Sequence, residues 1–292
     1  MFTNVQYGSS SDPLAMDVCN VQENCAWVID GSDALFPTHI TEAAHDGEWF
    51  VKELNTYFKQ NLNNQRWSIS DIVYQAMKHI HRQLLRYPIA KDICDLEYPN
   101  ACCAIVRVMH SRLYYFVLGN CELIITHPDG TMTSYIDLRL QELDAKLLEL
   151  SREMHDVKRM PLFTARNFMD HLLVENRLRR NIEGGYYVLG EDATAVKHAL
   201  VGSLPLQDIK SISLICNGFS KYYNCKKVTT YLDQYLKHER SGEFVELYES
   251  MLMKKKRNEK LARYMQESLS GQSTVVFFDV NEASQIHYRN NQ

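Results

Sequence analysis

Four apolar stretches of the sequence begin or end at small polar residues that carry or border oxygen donors. These are Asp30-Gly31, Gly119-Asn120 and Asn217-Gly218 after three stretches, and Gly271-Gln272 just before a fourth. Carboxylate and amide oxygens are the donors that hard divalent cations accept. Junctions between strands and turns also collect Gly, Asn and Asp for reasons of backbone geometry alone. One such junction therefore indicates nothing by itself, and only the set of four suggests a site.

Apolar periodicity predicts the elements that would position these residues. Short apolar runs predict strands at 25–29, 101–109, 113–118, 122–126, 131–136, 212–216 and 274–278. Apolar residues three or four apart predict helices at 46–62 and at 70–87, the second with Ser70 as its N-cap. Charged amphipathic patterns predict further helices at 138–157, 165–181 and within 226–268. This order favours an α+β domain whose antiparallel sheets carry helices on their outer faces.

Composition limits the classes of partner. The 292 residues suit one large domain or two small ones, and the net charge of −4 gives no general attraction to nucleic acid or to an anionic membrane. The basic run 254–257 is short and typical of a solvated helix face. No apolar stretch approaches the roughly 20 residues of a membrane span. We therefore expect neither a nucleic-acid nor a membrane partner.

The cysteines indicate a reducing compartment. The first eleven residues lack the basic and apolar segments of a secretory signal, and the eight cysteines include no Cys-x-x-Cys pair. Without export, such cysteines are expected to be free thiols packed as small apolar side chains. We expect a cytoplasmic protein.

The four junctions, taken in order, resemble the motifs of the type 2C (metal-dependent) serine/threonine phosphatases over nearly the whole chain. Glu23-Asn24 followed by a strand ending in Asp30-Gly31 resembles the opening Glu-Asp and Asp-Gly motifs of the family. The strand ending in Gly119-Asn120 is similar to one that ends in Gly-Asp. Leu-Ile-Cys-Asn217-Gly218 resembles a strand ending in Asp-Gly, and Ser-Gly271-Gln272-Ser-Thr-Val-Val resembles the closing Asp-Asp/Asn-x-Thr strand. The resemblance implies an αββα four-layer sandwich of two antiparallel sheets flanked by helices.

The same resemblance implies a two-metal Mg²⁺ or Mn²⁺ centre, but most of its carboxylates are replaced. Asp30 remains as the bridging carboxylate, with the Gly31 carbonyl beside it and Glu23 in a supporting position. The degenerate metal positions are Asn24, Asn120, Asn217 and Gly271, with Gln272 next to the last. The arginine that the family places upstream has no counterpart before Arg66. Each lost ligand costs on the order of 10–100-fold or more in metal affinity, so we expect no bound cofactor, or Mg²⁺ or Mn²⁺ if some activity remains.

These substitutions predict a single type 2C phosphatase-like domain over 1–292 that is catalytically impaired and acts by binding. The expected partner is a phosphoprotein, a kinase or a subunit of a larger complex. Helical insertions at about 138–182 and 226–268 lie outside the expected core and are the surfaces to test first, although they equally suit plain cover for the sheets. Asn residues at these positions would also relieve the repulsion among clustered carboxylates in a metal-free fold.

Two alternatives stay open at this point. The first is an active Mn²⁺- or Mg²⁺-dependent phosphatase with a reduced or rearranged site, built from Asp30, Glu23 and Asp33 with Asp17 or Asp12. The second is another hydrolase class. The histidines His39, His45, His81 and His155, with Glu153, match no metal spacing, and the sequence has no Gly-x-Ser-x-Gly elbow and no Gly-x-x-x-x-Gly-Lys loop.

Overall fold

A computed structural model describes residues 2–8, 16–35, 39–140, 142–143, 171, 173–216 and 275–280. Two α-helices described over their whole length and ten strands lie in these ranges, and residues 138–140, 142–143, 171 and 173–178 are also helical. In chain order they are β1 (Phe2–Gly8), β2 (Val18–Val21), β3 (Cys25–Ser32), α1 (Asp46–Asn61), α2 (Ile69–Leu84), β4 (Asn100–Met109), β5 (Arg112–Leu118), β6 (Glu122–Thr126), β7 (Met132–Ile136), β8 (Leu200–Pro205), β9 (Ser211–Ile215) and β10 (Val275–Val280). Short 3-10 helices occupy Pro88–Lys91, Asp95–Glu97, Ala193–His198 and Leu206–Asp208.

The strands form two five-stranded antiparallel sheets. The β3 sheet has the order β2-β3-β4-β5-β8, and the β9 sheet has the order β1-β10-β9-β6-β7. Every named pair of strands is antiparallel. The predicted α+β class with two antiparallel sheets is confirmed. No helix among the residues described here is long and apolar enough to cross a membrane.

Alternation along the strands sorts their side chains into two cores. Successive side chains of a strand point to opposite faces of its sheet. On β3, Ala26 and Val28 pack with Ile212 and Leu214 of β9 in a core between the two sheets. Trp27 and Ile29 point the other way and pack with the buried faces of α1 and α2. The β3 sheet is therefore covered on both faces, which explains the continuous apolar runs 25–29 of β3 and 101–106 of β4.

Both predicted helices are present, with one correction at an N-cap. The N-cap of α2 is Ser68, not Ser70: its Oγ accepts a hydrogen bond from the backbone N–H of Asp71 at 3.0 Å, while the Asp71 carboxylate accepts from the Ser68 N–H at 3.3 Å. This reciprocal capping box satisfies two amide groups at the helix end, and Ser70 lies within the first turn. At α1, the Asp46 carboxylate accepts from the backbone amides of Ile40 and Thr41, each at 2.8 Å.

Three strands were not predicted, and some predictions fall outside the described ranges. Strands β1, β2 and β8 are short or contain polar and glycine residues, so they show no continuous apolar run. Of the helix predicted at 165–181, residues 173–178 are helical. The prediction at 138–157 lies almost wholly outside the described residues, as do the 226–268 block and the basic run 254–257. That one domain spans 1–292 stays a prediction.

A buried arginine ties the α1–α2 connection to the β3 sheet. Arg107 on β4 is 3% exposed, and its guanidinium donates hydrogen bonds to the carbonyl oxygens of Leu62 and Asn64, both at 3.0 Å, and of Trp67 at 2.7 Å. Hydrogen bonds from a charged donor stabilise by about 1.5–3 kcal/mol each. Because one planar group serves three carbonyls, Arg107 fixes where the helix pair turns back across the sheet.

We therefore expect Arg107→Met to lower the free energy of unfolding by about 3 kcal/mol, since three carbonyls of the α1–α2 connection, that of Leu62 buried, lose a charged donor. Urea denaturation followed by circular dichroism measures it. Arg82→Met is the matched control, because Arg82 is exposed on α2 and its hydrogen bond within the described residues goes to the carbonyl of Lys78 on the same helix, at 3.2 Å. Its effect should stay within about 0.5 kcal/mol. Equal losses of unfolding free energy in both variants would show that the Arg107 hydrogen bonds do not hold the α1–α2 connection.

Candidate functional site

The register of the β3 sheet brings two carboxyl groups side by side. Val18 of β2 pairs with Ile29 of β3, so Asp17, one residue earlier, lies opposite Asp30. Asp30 in turn pairs with Cys102 of β4. These side chains lie on the same face as Val28, which is the face toward the β9 sheet. A row of Asp17, Asp30 and Cys102 therefore closes one end of the space between the sheets.

Two more thiols come to this place from the β9 sheet. Glu122 of β6 pairs with Ile215 of β9, so the register continued by one residue sets Cys121 opposite Cys216. Both thiols are 0% exposed and belong to the core between the sheets. We call Asp17, Asp30, Cys102, Asn120, Cys121 and Cys216 the strand-end cluster.

Asp17 is the most perturbed carboxyl of the strand-end cluster. It is 9% exposed, and burial raises its pKa well above the ordinary value, with the negative charge of Asp30 acting in the same direction. A contact with the Cys216 thiol lowers the pKa by less. The Asp30 carboxyl and the Cys216 thiol approach Asp17, but neither of its oxygens forms a well-aligned hydrogen bond within the described residues. Such a pair is held most easily with a proton on one carboxyl.

Asn120 reaches the strand-end cluster through a turn that only glycine allows. Gly119 has φ +73°, and a Cβ there would lie 2.3 Å from the Cys102 Sγ. The Asn120 side chain is 4% exposed, and its Oδ1 has no hydrogen-bond partner among the residues described. Its backbone amide contacts the Cys102 thiol. Asn120, one of the predicted positions, thus lies next to the row of Asp17, Asp30 and Cys102, where its side-chain amide offers a neutral oxygen.

The thiols of the strand-end cluster are neutral. Burial is the largest cause that raises the pKa of Cys102, Cys121 and Cys216, and the Asp30 carboxyl raises all three further. A thiol with a raised pKa carries almost no thiolate at neutral pH. The cysteines therefore add no negative charge to the site.

Glu23 and Asn24 are not part of this site, which corrects the sequence prediction. They lie in the turn before β3, whose first residue Cys25 is about 17 Å from Asp30 at a rise of ~3.3 Å per residue. Glu23 is exposed there, and the Asn24 carbonyl accepts a hydrogen bond from the Val108 N–H at 2.7 Å. The residue that accompanies Asp30 is Asp17. The signal was the β2–β3 turn, closed by Gln22 N–H to Cys25 O at 2.8 Å, because pairing outward from that turn leads to Asp17 and Asp30.

Gly31 and Asp33 are committed to packing against α1. A Cβ on Gly31 would lie 2.4 Å from Val51 Cγ2, so this position needs glycine for a close approach to the helix. The Asp33 carboxylate accepts from the Gly47 N–H at 2.7 Å and contacts His45 Nδ1 at 2.8 Å. Of the alternative cluster weighed from sequence, the structure brings Asp17 to Asp30 and leaves Glu23 and Asp33 elsewhere. Asp12 lies outside the described residues.

Other predicted positions also fall outside what the structure describes. Asn217 directly follows Cys216, the last described residue of that segment, and Gly218, Gly271 and Gln272 are likewise outside. Among the histidines, His39 is exposed and His81 contacts the Tyr98 hydroxyl at 3.4 Å, and His155 is not described. The described histidines supply no group to the strand-end cluster.

Arg177, which sequence reasoning missed, brings a cation to this end of the β3 sheet. Its Nη2 donates to the Asp33 carbonyl oxygen at 2.6 Å, just beyond the end of β3. Burial and then the nearby Arg180 lower its pKa, and Cys102 is close enough to act on it in the opposite direction. The family motif places its arginine upstream of Asp30, whereas Arg177 follows Asp30 by more than a hundred residues.

The described donors do not fit a pair of Mg²⁺ or Mn²⁺ ions. Two adjacent dications need anionic oxygen ligands to neutralise them. Here the oxygen donors are the Asp17 and Asp30 carboxylates and the Asn120 amide, and the remaining neighbours are thiols, which are soft ligands. Within the described ranges, no three His, Cys, Asp or Glu side chains are grouped so that they could hold a metal ion. We therefore derive no chemical step through a metal.

Neither the family models nor the curated proteins include a match to this chain. Solved structures do match over almost the whole length. The serine/threonine phosphatase Stp1 from Staphylococcus aureus matches with a TM-score of 0.54 at 12% identity, covering 96% of each chain. The serine/threonine phosphatase PstP/Ppp of Mycobacterium tuberculosis matches with a TM-score of 0.53 at 13% identity, covering 96% of this chain and 100% of that one. The catalytic domain of PstP in complex with two manganese ions matches with a TM-score of 0.50 at 13% identity, covering 94% and 97%.

At these identities the likeness shows the fold. This chain is similar in structure to bacterial type 2C serine/threonine phosphatases, as its motifs predicted, and the predicted two-sheet sandwich of that family is confirmed. The helices predicted for the outer face of the β9 sheet lie outside the described residues.

The raised pKa of Asp17 predicts how stability depends on pH. The folded state holds this proton more tightly than the unfolded chain, so its stabilising contribution is present below the ordinary pKa of 3.8 and is lost as pH rises through the folded-state pKa. Asp17→Asn removes that loss. We expect its melting temperature to exceed that of the wild type at pH 7.5 and the difference to shrink toward pH 4.5.

Glu23→Gln serves as the matched control for this measurement, because it neutralises an exposed carboxyl at the opposite end of β3. Its melting temperature should follow the wild type at every pH. A pH-dependent gain in Glu23→Gln, with none in Asp17→Asn, would return Glu23 to the site and remove Asp17 from it.

Proposed function

We propose that this chain is a catalytically impaired type 2C phosphatase-like protein that acts by binding a protein partner. The observation that carries the proposal is the chemistry of the strand-end cluster: two carboxyls, a neutral amide and three neutral thiols stand at the sheet end where the resemblance places two metals. A water activated by two metals needs both ions held by charged oxygens. With Asn120 in place and with the sequence positions Asn217 and Gly271 also lacking carboxylates, that requirement is not met.

An active Mn²⁺- or Mg²⁺-dependent serine/threonine phosphatase with a reduced site is the second candidate. It is favoured by the buried Asp17 and Asn120 oxygens that lack hydrogen-bond partners within the described residues, since a single cation would satisfy them. The two candidates differ in metal response. Hydrolysis of a phosphoserine or phosphothreonine peptide that rises with millimolar Mn²⁺ would establish the second and overturn the first.

The partner is proposed to be a phosphoprotein, a kinase or a subunit of a complex, in the cytoplasm. Exposed apolar side chains at both ends of the predicted 138–182 insertion support a protein surface there. Leu138 is 49% exposed at its start, and Leu178 and Ile182 are 58% and 51% exposed at its end. Large apolar side chains held in solvent are typical of interaction sites when they occur together. The second predicted insertion, 226–268, lies outside the described residues, so no exposed side chain there supports a protein surface.

Restoring one carboxylate tests the metal proposal. We expect Asn120→Asp without metal to be less stable than the wild type by about 1–3 kcal/mol at pH 7.5, because a third carboxyl joins Asp17 and Asp30 in a buried site. Mn²⁺ should raise the melting temperature of Asn120→Asp and leave that of the wild type unchanged. Differential scanning fluorimetry with and without Mn²⁺ measures both.

The control for that series is Asn24→Asp, the same change at the opposite end of β3. It should lose little stability and gain no response to Mn²⁺. A wild-type protein that Mn²⁺ already stabilises strongly would contradict the proposal that the natural site does not hold the metal.

The partner surface can be tested with charged substitutions. Leu178→Asp combined with Ile182→Asp should lower capture of a directly cross-linked partner about 30-fold, which corresponds to the loss of a 2 kcal/mol hot spot. Ile89→Asp is the control, because Ile89 is 45% exposed in the 3-10 helix Pro88–Lys91, outside the predicted insertion. Quantitative cross-linking and mass spectrometry with the full chain measures the three. Equal capture by the double variant and the wild type would remove this surface from the proposal.

A further inference from the structure

We propose that Cys121 and Cys216 form a reversible disulfide that cross-links β6 and β9 at the strand-end cluster. This goes beyond the proposed binding function and holds whether or not the site takes a metal. The two cysteines directly adjoin the degenerate positions Asn120 and Asn217 in sequence. Their oxidation would therefore act on the two strand ends at which this sequence has Asn where the motif of the type 2C phosphatases has Asp.

The sheet register places the two cysteines opposite each other. The five pairs from Glu122–Ile215 to Thr126–Ser211 run without a shift, and continuing that register by one residue, just beyond the ends of β6 and β9, sets Cys121 opposite Cys216. Opposed residues of antiparallel strands have Cα atoms about 4.5 or 5.5 Å apart, depending on the pair type. Both separations lie within the roughly 4.4–6.8 Å that a disulfide spans. No movement of the backbone is needed to bring these residues within range.

The side chains already meet. Both cysteines are 0% exposed, both lie in the core between the sheets, and each thiol is a hydrogen-bond neighbour of the other. Opposed side chains of a ladder point to the same face of the sheet. The two thiols therefore share one space at the end of the core between the sheets.

Other cysteines are less well placed for this bond. Cys103 points to the opposite core, where it packs with Trp27 and Ile29. Cys102 lies in the same core but on the other sheet, with its Sγ against Gly119 and the Asn120 amide. No strand ladder holds Cys102 opposite Cys121 or Cys216. Cys94 is exposed and distant in sequence from the strand-end cluster. The ladder therefore selects one pair among the described cysteines.

A low-molecular-weight disulfide of the glutathione type supplies the oxidant. One cysteine thiolate attacks a sulfur of the oxidised compound, forms a mixed disulfide and releases one small thiolate. The second cysteine then attacks the protein sulfur of that mixed disulfide, forms the Cys121–Cys216 bond and releases the second small thiolate. Two protein thiols are oxidised, one small disulfide is reduced to two thiols, and the two protons lost by the cysteines pass to the products.

Burial sets the conditions for this reaction. The raised pKa of both thiols leaves little thiolate, and neither sulfur is accessible in the closed site. Exchange should therefore be slow in the fully folded protein and faster when the end of the sheet opens. A disulfide in a reducing compartment is usually transient or redox-sensing. One formed here would remove the Cys216 thiol hydrogen, and with it the contact that this thiol makes with Asp17.

The test uses the full chain, first reduced and then incubated with oxidised glutathione in mild urea, followed by removal of the urea. We expect an intact mass lighter by two hydrogen atoms, a non-reduced peptide that joins Cys121 to Cys216, and loss of both signals after dithiothreitol. The oxidised protein should also melt at a higher temperature than the reduced one. Cys103→Ser should behave as the wild type, whereas Cys121→Ser and Cys216→Ser should give glutathione adducts in place of the internal bond.

Two results would overturn the proposal, and both come from the wild-type chain alone. The first is a protein that keeps both thiols free after opening and closing in oxidised glutathione. The second is a mapped bond that joins Cys102 to Cys121 or to Cys216. It would show that a sulfur of the β9 sheet reacts with Cys102 of the β3 sheet more readily than Cys121 and Cys216 react with each other. Because these readouts need no substitution, a variant that fails to fold leaves the conclusion intact.

Discussion

The antiparallel register of β2 and β3 is the constraint on which the strand-end cluster depends. It sets Asp17 directly beside Asp30 at the edge of the apolar core between the two sheets. Two carboxylates cannot both be ionised there at low cost unless a cation or a proton lies between them. Burial, and then the charge of Asp30, raise the pKa of Asp17, which favours a proton on this carboxyl.

Three arginines of the described structure donate hydrogen bonds to backbone carbonyls. Arg177 donates to the Asp33 carbonyl, Arg180 donates to the Tyr98 carbonyl at 3.0 Å, and Arg107 donates to the carbonyls of the α1–α2 connection. Each of these contacts positions a loop, so these three cations serve the architecture of the fold.

Most of the fold could be predicted from sequence because its core strands are unbroken apolar runs. The β3 and β4 strands are covered on both faces, which makes them easy to recognise, and both long helices follow from their three-to-four spacing. Strands such as β2 and β8 were missed because an edge strand buries little of its surface and tolerates residues such as Asn20 and Gly202. The site was only half found: Asp30 and Asn120 follow apolar strands, but Asp17 precedes a four-residue strand and is revealed only by pairing outward from the turn at Gln22.

The approach of Cys216 to Asp17 could not be predicted from sequence, since it joins residues nearly two hundred positions apart. The position of these residues at the strand ends also bears on how the core is held. The core between the sheets depends on residues such as Val28 and Leu214, which lie inward from the strand ends. Burying a small thiol or an amide at the rim extends that apolar core, whereas every added carboxylate would need a counter-ion. An amide or a thiol at the rim therefore avoids repulsion between carboxylates and leaves this packing unchanged.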